Sequence, residues 1–324
     1  MMETIAVGVK AGGSGGAALR HWVARARLLV WKRAVPLLLH LRSHRRLMTT
    51  LNHPITRPLL HRYPTIRYKY LRENYLLHSL STAQSLEVMN YHYSVLGACV
   101  SPNFFPQLLG QSLVLWQEEV NGATFRVRLS FPRDAKLPDR LHDHEGDIAI
   151  IFESDAVPLS VLCMTLVPEK IAFHCWGIAD ASRALFVGRI QGVPGKFDTL
   201  RAATKAMKDI IPARILLCAV EAIGRALGVD RIVGVSTTRQ LSYGKTAEVG
   251  TFFDYDDFWR QLGGEERADG LFLLPASLVE KAIEQVAQKH RSRTLAKRRY
   301  RKSIEDAIHA NFALKFMAQP TSAV

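Results

Sequence analysis

Short apolar runs separated by turn signals occupy the middle of the chain and predict the strands of a sheet. Each run is rich in Val, Ile, Leu and Phe, and Asn121-Gly122 and several prolines punctuate the series. The predicted strands are Leu113–Glu118, Phe125–Phe131, Asp147–Phe152, Leu159–Val167, Ile171–Ile178 and Leu185–Ile190. Their close, even spacing is typical of an antiparallel meander.

Beyond residue 192 the hydrophobic period becomes helical. Helices are predicted over 198–208 and from Pro212 to 227, because proline suits the first turn of a helix. A further strand follows at 232–236. Antiparallel strands, then a helix pair, then a strand predict an α+β fold with a mixed, largely antiparallel sheet and packed helices.

The two ends of the chain have a different composition from the middle. Residues 1–50 are interpreted as a basic arm, partly disordered or amphipathic, and 51–276 as the α+β core domain. Residues 277–324 are predicted to form a basic helical segment, with a helix beginning near Ser277. No internal repeat divides the chain further.

The net charge of +14 is concentrated near the N-terminus, where residues 1–72 hold fourteen Lys or Arg and one acid. An apolar stripe between Leu19 and Val30 accompanies these bases, which predicts binding to an anionic membrane surface. The residues expected to touch the membrane are Arg20, Trp22, Arg25, Arg27, Trp31, Lys32 and Arg33. A solubilising tail is the alternative. Nucleic acid is not the expected partner, because no nucleic-acid-binding module is recognisable.

The expected cellular location rests on the absence of a membrane span and of a secretory signal from the sequence. No run approaches the roughly 18 apolar residues of a membrane span, and the N-terminal segment has no clean secretory signal. The four cysteines form no C-x-x-C pair, as expected of core residues in a reducing compartment. The expected location is therefore cytoplasmic and peripheral, on the inner face of a bacterial membrane.

The densest polar cluster is His142-Asp143-His144-Glu145-Gly146-Asp147. Glu145 and Asp147 open a predicted strand and are the candidate catalytic carboxylates, because a buried carboxylate can act as a general base. The alternative is a pair of acids at the end of a loop, neutralised by Arg189. The histidines were considered as metal ligands, but we predict no metal site, since H-x-H in a polar loop is usually solvated.

A second cluster lies where the last meander strand ends. Arg189 and Gln191 share one face of that strand, and Gly192 follows them. Glycine in a strand often marks the close approach of a ligand. Together with Lys205 these residues form the candidate small-molecule-binding site; a strand that bends to pack on the helix pair is the alternative.

The aromatic block at 254–259 is interpreted structurally. Asp256 or Asp257 is expected to cap a short helix that buries Phe258 and Trp259. A calcium loop is rejected, because the glycine and the terminal glutamate of such loops are missing.

An ordered set of sequence blocks resembles the VirK/YbjX family of virulence-associated bacterial proteins. The blocks are His53-Pro54, Glu145-Gly146-Asp147, Gly188-Arg189-Ile190-Gln191-Gly192, Ala203-Thr204-Lys205, Asp254–Trp259, Leu271–Pro275 and Arg298-Arg299-Tyr300. The resemblance implies an envelope-associated accessory protein linked to virulence, surface-protein display and tolerance of antimicrobial peptides. It transfers no catalytic residue. Ile211 stands where the family has a basic residue, and His290 and Thr294 interrupt the C-terminal basic segment.

A second resemblance covers residues 185–236, whose strand, turn, helix and strand are similar to the core of GNAT-type acyltransferases. In those enzymes the amides at a helix start hold the pyrophosphate of a CoA thioester. The usual glycine-rich loop is missing here, although Gly192 to Lys196 supply glycines and a cation. The alternative function is therefore a GNAT-like acyltransferase that uses a CoA or carrier-protein thioester to modify an envelope component. Oligomeric state has no signal in the sequence.

Overall fold

The computed structural model describes residues 35–72, 74–111, 113–134, 142–178, 183–243, 253–278 and 280–318. Eight strands form one sheet in the spatial order β1-β2-β3-β4-β5-β6-β8-β7. They are β1 (Val114–Val120), β2 (Ala123–Ser130), β3 (Ile148–Ser154), β4 (Val157–Pro168), β5 (Arg183–Gly192), β6 (Arg231–Val235), β7 (Glu265–Glu266) and β8 (Leu271–Pro275). All neighbours pair antiparallel except β5 and β6, which confirms the predicted mixed, largely antiparallel α+β fold.

The helices surround this sheet. They are α1 (Leu41–Leu51), α2 (Arg57–Arg62), α3 (Thr82–Cys99), α4 (Phe104–Leu109), α5 (His142–Glu145), α6 (Glu169–Trp176), α7 (Phe197–Ala206), α8 (Pro212–Ala226), α9 (Tyr255–Gln261) and α10 (Gln288–Phe316). Short 3₁₀ helices occupy Pro64–Leu71, Pro132–Asp134, Thr237–Arg239 and Ile283–Gln285. Residues 35–39 are also helical.

The large core lies on one face of the sheet, beneath α3, α8 and α10. Helix α8 is buried along nearly its whole length because its sequence is apolar on most sides, and Pro212 occupies its first turn as predicted. Helix α10 buries one residue per turn from Tyr300 to Phe316 against α8 and β1. Its end is also tied to α3 by an isolated bridge between Val100 and Met317.

The opposite face of the sheet carries a smaller apolar cluster of Ala149, Ile151, Val161 and Cys163. Charged side chains of the same face flank this cluster. Arg128 is paired with Glu153 there, with 2.5 Å between Nε and Oε1, and both side chains are buried.

Two predicted elements are wrong. Residues 171–178, predicted as a strand, belong mainly to α6, and their buried positions Ile171, Ala172 and Trp176 recur at a helical interval. A short apolar run fits both periods, so periodicity alone could not decide. The C-terminal helix begins at Gln288 and not near Ser277.

Candidate functional site

A tight turn carries the acidic cluster into the centre of the sheet. Helix α5 and Gly146 lie so close to strands β4 and β5 that no larger residue fits. A Cβ on Gly146 would lie 2.7 Å from the Met164 nitrogen, and one on Gly188 would lie 2.3 Å from the Glu145 carbonyl oxygen. These two glycines therefore permit the turn to contact the sheet directly, and the carboxylates of Glu145 and Asp147 become buried.

The Glu145 carboxylate is the centre of the first buried network. Arg189 Nη1 donates to its Oε2 at 2.6 Å, and Gln240 Nε2 and Ser242 Oγ donate to its Oε1 at 2.8 and 2.9 Å. Gln240 also hydrogen-bonds to Ser242. We call Glu145, Arg189, Gln240 and Ser242 the Glu145 network. The ion pair with Arg189 agrees with the alternative interpretation, in which Arg189 neutralises acids at the end of a loop.

This network lies where the parallel strands separate. Pairing between β5 and β6 runs from Ala184 opposite Arg231 to Val187 opposite Gly234, and β6 then ends at Val235. Strand β5 continues to Gly192 along β4. We call the edge of β5 at residues 188–192, past the end of β6, the β5–β6 split.

Tyr255 fills part of the β5–β6 split from the start of α9. Its hydroxyl oxygen accepts a hydrogen bond from the Ile190 amide at 2.9 Å, so the tyrosine replaces the missing strand partner. Burial, and then the negative charge of Glu145, raise the pKa of the Tyr255 phenol far above its usual range. Tyr255 therefore keeps its proton and remains a hydrogen-bond donor at neutral pH.

Asp147 is the centre of a separate buried network. Lys69 Nζ and the Tyr93 hydroxyl donate to its Oδ1 at 2.7 and 3.1 Å, and the Tyr75 and Thr165 hydroxyls donate to its Oδ2 at 2.5 and 3.1 Å. We call these five residues the Asp147 network. Although burial raises the pKa of this carboxyl, Lys69 and the hydrogen bonds lower it below its ordinary value.

Asp143, on the same turn, extends the Asp147 network towards the surface. Arg72 and Arg133 bind its Oδ2 at 2.6 and 2.9 Å. Burial raises the pKa of Asp143, but Lys69, Arg72 and Arg133 together lower it strongly. The turn is thus fixed through Glu145 on one side and through Asp143 and Asp147 on the other.

The structure brings some predicted site residues together and separates others. Glu145 and Arg189 form an ion pair, Gln191 is half-buried further along β5, and Gly192 is exposed at its end. Lys205 is exposed on α7, whereas Arg189 is buried. Asp147 belongs to its own network. The seven expected membrane contacts at positions 20–33 lie outside the described residues.

Sequence reasoning missed several members of these networks. The Glu145 carboxylate binds Gln240 and Ser242, and the Ile190 amide in the split binds Tyr255. The Asp147 carboxylate binds Lys69. Tyr255 lies in the aromatic block at 254–259, whereas no sequence pattern surrounds Gln240 and Ser242. The 254–259 block is a helix that buries Trp259 completely, as predicted, but its capping residue is Asp254, which accepts from the Asp257 amide.

The fold and these networks define an α+β protein with a buried, fully hydrogen-bonded carboxylate at the carboxyl ends of a parallel strand pair. A family model described as a protein of unknown function, DUF535, matches residues 20–312, and the chain belongs to this family. It is also 31% identical over 279 residues to "Uncharacterized protein YbjX" of Escherichia coli (strain K12), a match covering 83% of this chain and 78% of the relative. The resemblance to the VirK/YbjX family is confirmed.

Among solved structures, the chain is similar to a variant of a cAMP-binding acyltransferase from Mycobacterium smegmatis. The TM-score is 0.26 at 13% identity, and the match covers 72% of this chain and 64% of the other, less than two thirds of its length. Within the described residues no helix is long and apolar enough to cross a membrane.

Proposed function

We propose that this chain is an acyltransferase-like protein that binds a CoA or carrier-protein thioester at the β5–β6 split and transfers the acyl group to an envelope component. The observation that supports this best is the separation of the parallel pair beyond Val187, beside a buried carboxylate. In open sheets, ligands bind at the carboxyl ends of parallel strands, where neighbouring strands diverge.

The loop after β5 suits a ligand that carries phosphate. Residues 192–196 lead directly into α7, and no side chain caps the start of that helix. Helix-start amides attract anions because their N–H groups are unpaired and the helix dipole is positive there. Exposure increases along β5 from Arg189 to Gly192, so a thioester would enter the split from the Gly192 end.

Acyl transfer needs a proton acceptor and a group that stabilises developing negative charge. The attacking amine or hydroxyl forms a bond to the thioester carbonyl carbon, the carbon–sulfur bond breaks, and the attacking group loses a proton while the sulfur gains one. In this proposal Glu145, the carboxylate beside the split, receives that proton. The Tyr255 hydroxyl can donate a hydrogen bond to the carbonyl oxygen or to the departing sulfur.

The test combines binding with chemistry. Acetyl-CoA should raise the melting temperature of the protein, because a ligand that binds the native state stabilises it. Tyr255→Phe should slow thiol release from acetyl-CoA, with envelope fractions as acceptor, by roughly 10²-fold, the usual effect of losing one such donor. Tyr300→Phe is the control, since its hydroxyl contacts Glu118 elsewhere. If neither CoA, acetyl-CoA nor a phosphopantetheinylated carrier protein shifts the melting temperature, the proposal is wrong.

A second candidate function is that of an accessory protein held on the inner face of the bacterial membrane. Exposed apolar side chains support it at the described end of the arm: Val35, Leu38, Leu39 and Leu41 are 37%, 68%, 75% and 38% exposed. The exposed arginines 42, 45 and 46 follow on α1. Apolar side chains beside clustered arginines favour an anionic lipid surface. Roles in virulence, surface-protein display and antimicrobial-peptide tolerance remain predictions from the family resemblance.

A further inference from the structure

Helix α7 presents an exposed face that has no partner in the described part of the molecule. Phe197, Arg201 and Lys205 are spaced four residues apart, so they lie on one side of the helix, and all three are exposed. The Phe197 ring is 74% exposed, while Ala203 on the opposite side is buried. The face therefore combines one exposed aromatic ring with two exposed cations.

The charge of this face is predominantly positive, although Asp198 lies in the first turn of the helix and Lys205 also attracts Asp209. Neither Arg201 nor Lys205 forms an ion pair with a described residue, and Lys196 and Lys208 lie just before and after the helix. The acid that follows the helix, Asp209, is already bound by two cations of α10, Arg293 and Lys297. An acidic surface would therefore complement this face.

The same helix contacts the β5–β6 split. A Cβ on Gly192 would lie 3.7 Å from Leu200 Cδ1, so α7 packs against the open end of β5. Arg201 and Lys205 lie about 7 and 13 Å along the helix from Lys196, at 1.5 Å per residue. A pyrophosphate held at the helix start would not reach Lys205. Lys205 and the outward-facing Phe197 ring are therefore left for a ligand larger than free CoA.

We propose that the exposed face of α7, formed by Phe197, Arg201 and Lys205, docks an acidic carrier protein that presents its acyl group on a phosphopantetheine arm. This inference rests on the proposed acyl transfer and names the donor as a carrier-bound thioester. The acidic surface of the carrier pairs with Arg201 and Lys205, an apolar side chain of the carrier contacts Phe197, and the arm enters the β5–β6 split at Gly192.

The experiment measures binding of a fluorescently labelled, phosphopantetheinylated acyl carrier protein to the full chain by anisotropy, with CoA as the second probe. The variants are Arg201→Glu and Phe197→Ser. The matched control is Lys170→Glu, which makes the same charge change on an exposed side chain beyond Pro168. Pro168 pairs with Arg183, at the end of β5 opposite Gly192, so this control lies about 30 Å from Gly192.

We expect the carrier protein to bind, and to bind more weakly as salt rises from about 50 to about 300 mM, since exposed charges are screened. Arg201→Glu should weaken binding of the carrier protein roughly tenfold more than it weakens binding of CoA. Phe197→Ser should change the two affinities in the same direction as Arg201→Glu. Lys170→Glu should leave both affinities unchanged. Unchanged thermal melts would confirm that these surface variants remain folded.

Three results would overturn the docking proposal. The first is binding of CoA or acetyl-CoA without binding of the carrier protein, which leaves the proposed acyl transfer intact. The second is an equal loss of carrier binding in Lys170→Glu and Arg201→Glu, which makes the attraction nonspecific. The third is no binding of either probe, in which case the proposed function fails as well.

Discussion

The indole of Trp259 lies directly against the backbone of Gly234. A Cβ atom at position 234 would come within 2.3 Å of the indole Cε2, and the indole Nε1 donates to the Val235 carbonyl at 2.9 Å. Helix α9 is fixed in this way to β6 at the strand end that borders the β5–β6 split. The position of Tyr255, one helical turn earlier, depends on the same contact.

Loss of this contact should destabilise the whole domain. Trp259→Ala removes a completely buried ring, and such changes cost about 3–5 kcal/mol of the free energy of unfolding. Gly234→Ala should also be destabilising, because its methyl group meets the ring. Urea unfolding measures both. Arg260→Ala, at an exposed neighbour, should unfold like the wild type; an unchanged unfolding curve for Trp259→Ala would show that the ring serves a surface site.

The Asp147 network should make stability depend on acid pH. The pKa of Asp147 in the folded protein lies below its value of 3.8 in the unfolded chain. The ionised carboxylate therefore contributes fully to the free energy of unfolding well above pH 4. That contribution is lost as the pH falls through 3.8 towards the pKa of the folded state. Asp147→Asn should cost about 3 kcal/mol at pH 7, the lower end for breaking a buried ion pair, because Lys69 loses its nearest carboxylate and keeps Asp143 at 3.6 Å.

Chemical unfolding at pH 7 and about pH 3 would test this. The difference between the wild type and Asp147→Asn should shrink at the lower pH, where the wild-type carboxyl is more protonated. Asp198→Asn, at an exposed acid of α7, should show no such change. A constant difference between the wild type and Asp147→Asn across this range would contradict the assignment.

His92 should produce a second, milder pH dependence. Burial lowers its pKa from 6.5 to about 4; Asp147 raises and Lys69 lowers it to a smaller extent. The neutral ring accepts from the Leu166 amide through Nδ1 at 3.1 Å. As the pH drops from 6.5 to about 4, the unfolded chain takes up the proton on His92 while the folded protein does not. The free energy of unfolding therefore falls by about 3 kcal/mol over this range, at 1.36 kcal/mol per pKa unit.

Replacing His92 by a neutral residue should flatten that slope. His92→Gln is expected to unfold with a similar free energy at pH 6.5 and about pH 4.5, apart from the contributions of other groups. His290→Gln, at an exposed position, should retain the wild-type slope. Retention of the full slope by His92→Gln would show that another group titrates in this range.

Membrane association should depend on the exposed leucines that precede α1. Leu38→Gln with Leu39→Gln in the full chain should weaken binding to anionic vesicles in a flotation assay, since about 25 cal/mol is lost for each Å² of apolar area no longer buried. Leu314→Gln is the control, because Leu314 is 74% exposed on α10. Equal binding by both proteins would remove this surface from consideration.

Local patterns predicted most of the fold. The strands before residue 168 and helices α7 and α8 lie within a few residues of their predicted places, because each has one apolar period and clear turn residues. The strand predicted at 171–178 was wrong because a short, mostly apolar run fits a helix as well as a strand.

The candidate site was only half predictable. Glu145 stood out within the densest polar cluster and Arg189 as a charge in an apolar strand, and they are paired. Gln240 and Ser242 carry no such signal, because isolated polar residues after a strand are common in loops. Their contact with Glu145, about a hundred residues away, arises only when β6 takes its place beside β5.

The docking of α10 has a consequence for synthesis on the ribosome. Phe312 and Phe316 pack edge-on against Phe104, and the Ala318 amide donates to the Cys99 carbonyl at 2.8 Å. These contacts join segments about two hundred residues apart, which is the kind of topology that folds slowly. The apolar face beneath α10 must therefore stay uncovered while most of the chain is being translated, and a nascent-chain chaperone would find its binding surface there.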